Sequence, residues 1–197
     1  RGATFEVELQ KFREEFLKIA PFQYECEEPY GVLDEENTRI ARMDLELAGI
    51  KRQAQLFEVA LPDYRFLDNC RRELRLLKVV WDWVFFIRST ISAWHDTPWR
   101  LVNVDEMDFT LKLFSSKALR RLDKEVRAWP VFLGIEAEVR NMMTSLRAVS
   151  ELQNPAIRGR HWSQLMAATK VRFVMDENTV LGDLINLNLH NFEDEVH

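Results

Sequence analysis

The stretch from Asp63 to His95, DYRFLDNCRRELRLLKVVWDWVFFIRSTISAWH, restricts the chain to few architectures. Leu67, Cys70, Leu74, Leu77, Trp81, Val84 and, past Arg88, Ile91 recur at helical spacing. A second stripe joins in the C-terminal half through Leu76, Val80, Trp83, Ile87 and Trp94. A helix with one apolar stripe lies on a surface, whereas two separated stripes have to be covered from two sides. The spacing therefore predicts a central helix with neighbours on both faces. Trp81 and Trp83, at stripe positions, are expected in the core.

The preceding segment supplies one neighbour. Asp34 is read as the start of a helix, with Glu35 and Glu36 in the first turn, where the helix dipole favours acidic groups. Its stripe is Ile40, Met43, Leu47, Ile50, Ala54, Phe57 and Leu61, three-four spacing of coiled-coil grade. Pro62-Asp63 reads as a tight turn, with Asp63 the N-cap of the central helix. Laid antiparallel, the stripes pair Phe57 with Leu67, Ala54 with Cys70, Ile50 with Leu74, Leu47 with Leu77, Met43 with Trp81 and Ile40 with Val84. Burying one large apolar side chain stabilises by roughly 1.5–3 kcal/mol, against about 0.2–0.5 kcal/mol for a surface ion pair. The seam, not the surface charge, is expected to hold this hairpin.

On either side the pattern stays helical. Thr4 reads as the cap of a first helix to about Ala20, with Phe5, Leu9, Phe12, Phe16 and Ile19 as its stripe and Pro21 as its end. Phe22 to Leu33 reads as an acidic loop. Past the central helix, His95 to Val104 breaks the pattern at Pro98. Asp105 reads as an N-cap, with Val104 and Phe109 as a hydrophobic staple. The following helix uses Met107, Leu111, Phe114, Ala118 and Leu122, with a kink marked by Ser115-Ser116. Pro130 starts another through Phe132, Ile135, Val139, Met142, Leu146 and Val149. Asn154-Pro155 stops it, a shorter helix carries Ile157, Trp162, Leu165 and Met166, and Thr179 caps a last one through Leu181, Leu184, Ile185 and Leu187. The fold class is all-α, built as serial antiparallel helical hairpins or bundles. The segments are 1–33 (helix and acidic loop), 34–95 (long hairpin), 96–154 (second hairpin) and 155–197 (short helices). The chain starts without methionine and stops as a new helix begins, so it is expected to be a fragment.

Composition narrows the function. Gly and Pro number six each among 197 residues, and the net charge is only −5, so no global field recommends nucleic acid or an anionic membrane. The longest apolar run, Val79 to Ile87, is broken by Asp82 and is far too short to span a bilayer. Cys26 and Cys70 are far apart, and Cys70 lies on the core stripe, which suits a reduced intracellular thiol pair better than a disulfide. No phosphate-cradling glycine loop, CxxC or HExxH occurs. His190, Asp194 and His197 have a spacing compatible with a metal site but read as solvated. Asp105, Glu106 and Asp108 read as first-turn capping acids. No nucleophile–base pair can be assigned, so catalytic, cofactor-binding and metal residues are all expected to be none. Two features remain. Lys117, Arg120, Arg121, Lys124 and Arg127 are three and four apart and form a candidate basic docking face, or simply a solvated one. Of the six tryptophans, Trp99, beside Pro98, is expected to be the one partly exposed or at an inter-bundle contact.

Certain residues, however, are not demanded by helix packing. They are Asn154-Pro155-Ala156-Ile157-Arg158-Gly159-Arg160-His161-Trp162 with Leu165-Met166, then Thr179-Val180-Leu181-Gly182-Asp183-Leu184, then His190 and Glu193-Asp194-Glu195-Val196. Upstream stand Trp94-His95-Asp96-Thr97-Pro98-Trp99 and Lys124-Glu125-Val126-Arg127-Ala128-Trp129. Together they resemble the N-terminal linker region of dynein heavy chains, most closely the axonemal, outer-arm type. The likeness covers roughly Leu61 to the end and is weaker before it, where residues 1–33 would belong to a tail–linker junction.

The resemblance implies an elongated helical lever that lies across a ring of AAA+ modules and bends and straightens as ATP is bound and hydrolysed. It implies a ciliary or flagellar axoneme as location, the ring of the same heavy chain as partner, and neighbouring heavy chains or intermediate and light chains as further partners. ATP and Mg²⁺ would belong to the parent ring, with no cofactor in this fragment and no nucleic acid or membrane. The fragment itself would be mechanical, not an enzyme, with a hinge expected where its stiff seams break, around Asp96–Asn103 or Asn154–Gly159. The competing reading is a passive helical scaffold with no motor attached.

Overall fold

A computed structural model describes residues 2–58, 65–153 and 178–186. Among them the chain is helical, with α1 (Gly2–Phe16), α2 (Pro29–Leu56), α3 (Arg65–His95), α4 (Val104–Leu113), α5 (Pro130–Gln153) and α6 (Leu181–Ile185). The sole strand-like pairing in the described residues is an isolated bridge between Pro98 and Val180. No described helix is long and apolar enough to cross a membrane. The chain divides into two compact units, residues 1–82 with 123–134 and residues 83–122 with 135–197. Of the three dividing points, 82/83 and 134/135 fall inside long helices, α3 and α5, and 122/123 falls between helices.

The first unit is organised by aromatic and aliphatic stripes. Phe5, Leu9, Phe12 and Phe16 bury along α1, and Leu33, Ile40, Met43 and Leu47 along α2. From α3 come Leu67, Cys70, Leu74, Leu77 and Trp81 of the first stripe and Val80 of the second, whose Leu76 is only half-buried. Ring-to-ring contacts run from Phe66 through Phe12, Phe16 and Phe22 to Trp129, with centroids 4.9 to 6.0 Å apart. Trp81 is fully buried, and its indole N–H donates to the Pro21 carbonyl at 2.8 Å, which meets the need of a large aromatic with one polar atom. Arg39 lies over the Phe12 ring at 4.9 Å and pairs with Glu15 and with the buried Glu36.

Several helix limits differ from the sequence reading, each for a local reason. Thr4 lies inside α1, which already ends at Phe16; Pro21 falls in a separate 3₁₀ turn, Ala20–Phe22. Helix α2 starts at Pro29, not Asp34, because proline lacks an N–H that the first turn cannot use anyway. Asp34 is interior, its carbonyl accepting from Thr38. At the other end the helix stops at Leu56, and Phe57 is 77% exposed rather than paired with the buried Leu67.

The expected register is also corrected. Tyr30 donates to Asp82, and Asp44 pairs with Arg71, pairs whose numbers sum to 112 and 115 rather than 124. In the expected register Asp44 would be level with residue 80, nine residues from Arg71, about 13 Å along the axis and beyond side-chain reach. In the observed one, buried Leu47, Met43, Ile40 and Leu33 come level with buried Leu67, Cys70, Leu74 and Trp81. The last two turns of α2 then extend past the start of α3, which is why Ile50 and Ala54 are only half-buried and Leu56 is 80% exposed. The Pro62-Asp63 turn and its cap lie outside the described residues, as does Leu61.

The second unit buries Val84, Ile87 and Ile91 of α3 and the whole expected α5 stripe from Ile135 to Val149, together with Met107, Leu111, Phe114 and Ala118. Helix α4 is capped by Asn103, whose side chain accepts from the Glu106 N–H, and not by Asp105, which sits in the first turn. Phe109 is 63% exposed, so no staple forms. The kink at Ser115-Ser116 is a π turn, Phe114–Ala118, followed by a 3₁₀ turn, Leu119–Arg121. The widened turn shifts the stripe, burying Leu119 and leaving Leu122 only half-buried. Trp83 is half-buried, a looser placement than its stripe position predicts.

Candidate functional site

Two short segments come back onto packed helices and fasten them, and both contain residues on which the resemblance rests. In the first unit the returning segment is 123–134. A 3₁₀ turn, Val126–Ala128, buries Val126, and Trp129 sets the edge of its ring against Phe22 at 4.9 Å. Glu125 accepts one hydrogen bond from the Arg72 guanidinium at 3.0 Å, and its other oxygen lies 2.6 Å from the second guanidinium nitrogen as an ion pair. Burial, then the nearby Glu125, raises the Glu73 carboxyl above its ordinary range, with Arg72 opposing. Pro130 opens α5, and Gly134 lies under the Tyr24 ring so closely that a Cβ there would overlap Tyr24 Cβ and Cγ. Only glycine fits that approach.

In the second unit the fastening is backbone to backbone. After α3 ends at His95 the chain is extended at Pro98. The Trp99 N–H donates to the Thr179 carbonyl at 3.0 Å, and the Leu181 N–H donates to the Thr97 carbonyl at 2.8 Å. Pro98 sits between these bonds, where its missing N–H leaves nothing unsatisfied. The Gln153 amide donates to the carbonyls of Trp99 and Val102 at 3.3 and 3.1 Å. Val180 is the N-cap residue of α6, its N–H donating to the Asp183 carboxylate at 3.1 Å, while Leu181 and Leu184 are fully buried. A Cβ on Gly182 would lie 3.1 Å from the His95 carbonyl oxygen, which accounts for glycine in that motif.

Two expectations are corrected here. Trp99 is 7% exposed, the reverse of a partly exposed placement, because the bonded turn folds it inward. The Asp96–Asn103 break carries the four bonds just given. Thr179 is buried and precedes the cap rather than being it.

The five basic residues are exposed, but they do not share one helix face. Lys117 lies in the π turn, Arg120 and Arg121 in a 3₁₀ turn, Lys124 in a turn and Arg127 in another 3₁₀ turn, because the helix ends at Leu113. Asp105 and Glu106 occupy the first turn of α4, and Asp108 pairs with Lys112 at 2.7 Å. Asn154, Pro155, Arg158, Arg160, His161, Trp162, Leu165 and Met166 lie outside the described residues, as do His190, Asp194 and His197. Cys26 and Cys70 are unpaired with each other, and burial raises the Cys70 thiol to about 12, so its nucleophilic thiolate is disfavoured. Sequence reasoning missed Arg72, Tyr24, Gly134 and Gln153. Only Gly134, a glycine inside an otherwise strong helical stripe, carried a signal.

The groups gathered in the two clasps are an ion pair, aromatic rings, glycines and backbone amides. None is a nucleophile beside a base. The family described as "Dynein heavy chain, N-terminal region 2" matches residues 67–197. The ciliary dynein beta chain of Tripneustes gratilla is 54% identical over 193 residues, 98% of this chain and 4% of that protein. Dynein axonemal heavy chain 9 of Homo sapiens is 49% identical over 196 residues, 100% of this chain and 4% of that one. The flagellar outer-arm dynein beta chain of Chlamydomonas reinhardtii is 34% identical over 210 residues, 98% of this chain and 5% of that protein. The chain thus spans only about a twentieth or less of these relatives. It belongs to the dynein heavy chain family, as a stretch of the N-terminal region of an axonemal heavy chain.

Proposed function

We propose that this stretch is a non-catalytic, mechanical linker segment of an axonemal dynein heavy chain. It passes ATP-driven changes of the parent chain's AAA+ ring into force on microtubules in cilia or flagella. ATP and Mg²⁺ act in that ring, and the ring is the segment's first partner. The observation that carries the reading is the use made of the family motifs. WHDTPW, KEVRAW and TVLGDL each hold the chain to itself through buried packing or paired backbone groups. A part that transmits displacement needs this internal fastening, because a segment that yields locally absorbs motion instead of passing it on.

The test uses the full-length heavy chain with Gly182→Val, which crowds the second clasp. A linker role predicts that ATP hydrolysis persists while microtubule gliding velocity falls severalfold. Hydrolysis and gliding lost in proportion would place the segment inside the catalytic cycle. Both unchanged, with the clasp shown to be open by hydrogen exchange, would leave a passive scaffold.

A further inference from the structure

We infer that the outward side of α3 from Phe85 to Ala93 is a docking face for an uncharged, apolar helix supplied by the same polypeptide from outside these 197 residues. The inference rests on reading the chain as a segment of a heavy chain. It starts from a contrast along one helix. The exposed positions in the first half of α3 are Arg65, Asp68, Asn69, Arg72, Arg75, Lys78, Val79 and Asp82, nearly all polar or charged. Those in the second half are Phe85, Phe86, Ser89, Ser92 and Ala93, without one charge. Arg88, the lone guanidinium there, is turned aside to Glu138.

Phe86 is 56% exposed although its ring is held edge-on by Trp83 at 6.0 Å and by Phe114 at 5.7 Å. A large apolar ring fixed in place and facing water is the mark of a surface that meets something. The small side chains Ser89, Ser92 and Ala93 would let a second helix approach closely, with Phe86 as the knob beside them. An ion on the incoming helix would lose its hydration against these exposed positions, and the half-buried Arg88 beside them is already paired with Glu138, so the partner is apolar and uncharged.

The absence of charge also points to a partner in cis. Free partners use charged rims to speed encounter and to fix orientation. A tethered partner is already present at an effective concentration of about millimolar and needs no such steering. The related heavy chains have all but about 4% of their length outside the matched stretch, ample chain to supply it.

The experiment places photoreactive benzoylphenylalanine in the full-length heavy chain by Phe86→benzoylphenylalanine, with Ala93→benzoylphenylalanine as a second reporter and Lys78→benzoylphenylalanine as the charged-side control. After irradiation the adduct is mapped by mass spectrometry. The expected adduct joins position 86 to an apolar peptide of the same polypeptide outside residues 1–197. Its yield exceeds the control severalfold and does not change when the chain is diluted about tenfold. An adduct to a different polypeptide, a dilution-sensitive adduct to a second copy, an adduct within residues 1–197, or no adduct above control at either reporter would overturn the inference. The intact mass of the irradiated chain, read separately, reports whether the underlying heavy-chain reading has failed instead.

Discussion

The two clasps fasten the chain with different materials. That of the first unit is made of side chains: an Arg72–Glu125 ion pair, Trp129 against Phe22, and Tyr24 lying on Gly134. That of the second is made of main chain, with Trp99 and Leu181 donating to Thr179 and Thr97 and a single side chain, Gln153, added. A side-chain clasp depends on which residues are present and tolerates backbone adjustment. A main-chain clasp depends on what the backbone can reach and tolerates most side chains, glycine excepted. The two should therefore fail under different substitutions.

The largest expected effect is at Gly134. Gly134→Val drives its side chain into Cβ and Cγ of Tyr24, near the stiff root of that residue, and overpacking of this kind costs about 3 kcal/mol. Because the obstacle is one side chain, Tyr24→Ala should give back much of the loss. The coupling between the two substitutions, read from urea denaturation of both singles and the double, should exceed about 1 kcal/mol. Additive losses would mean that the Tyr24 ring is not what confines Gly134.

Gly182→Ala is expected to cost less, about 1–2 kcal/mol, since the neighbour at 3.1 Å need yield only a few tenths of an ångström. Here the nearest atom is the His95 carbonyl oxygen, which every residue carries. His95→Ala should therefore leave most of the loss in place, the opposite of the Tyr24 result. Amide exchange at Trp99 and Leu181 should quicken together in Gly182→Ala and stay unchanged in Gly134→Val. Rescue by His95→Ala would show that the imidazole, not the backbone, sets the limit.

This difference also marks what could be read from residues alone. The stripes of α3 and α5 were legible because burial follows periodicity, and every stripe position from Ile135 to Val149 is buried. The register of α2 on α3 was not. Two three-four stripes can be laid together at several offsets, and only Tyr30–Asp82 and Asp44–Arg71 choose among them. Of the candidate site, the motif residues were visible as unexplained types, and the ion pair and ring contacts give some of them a reason. The main-chain bridge left no periodic trace, since Thr97, Trp99, Thr179 and Leu181 take part through atoms common to all residues. The basic residues do not line one helix face because their three-four spacing presumes an α-helix, and the chain there runs through π and 3₁₀ turns.

The smallest effect separates the units by charge. Glu73 in the first and Glu138 in the second are both raised above the ordinary carboxylate range, chiefly by burial. For each, the folded state favours the protonated form. The contribution to stability is then full below the unfolded value and is lost as pH rises through the folded one. Glu73→Gln and Glu138→Gln should each flatten that fall in thermal midpoint. The causes differ, however. Glu73 also feels Glu125, whereas burial alone acts on Glu138, where the Arg88 contact at 3.7 Å does not offset lost hydration and Arg88 is itself lowered. Glu125→Gln removes the repelling charge and frees Arg72, so carbon-detected NMR titration should find the Glu73 midpoint moved down and that of Glu138 unmoved. A joint shift would mean that the ionisation of Glu138 also answers to the first clasp, and a still Glu73 would mean that burial alone governs both carboxyls.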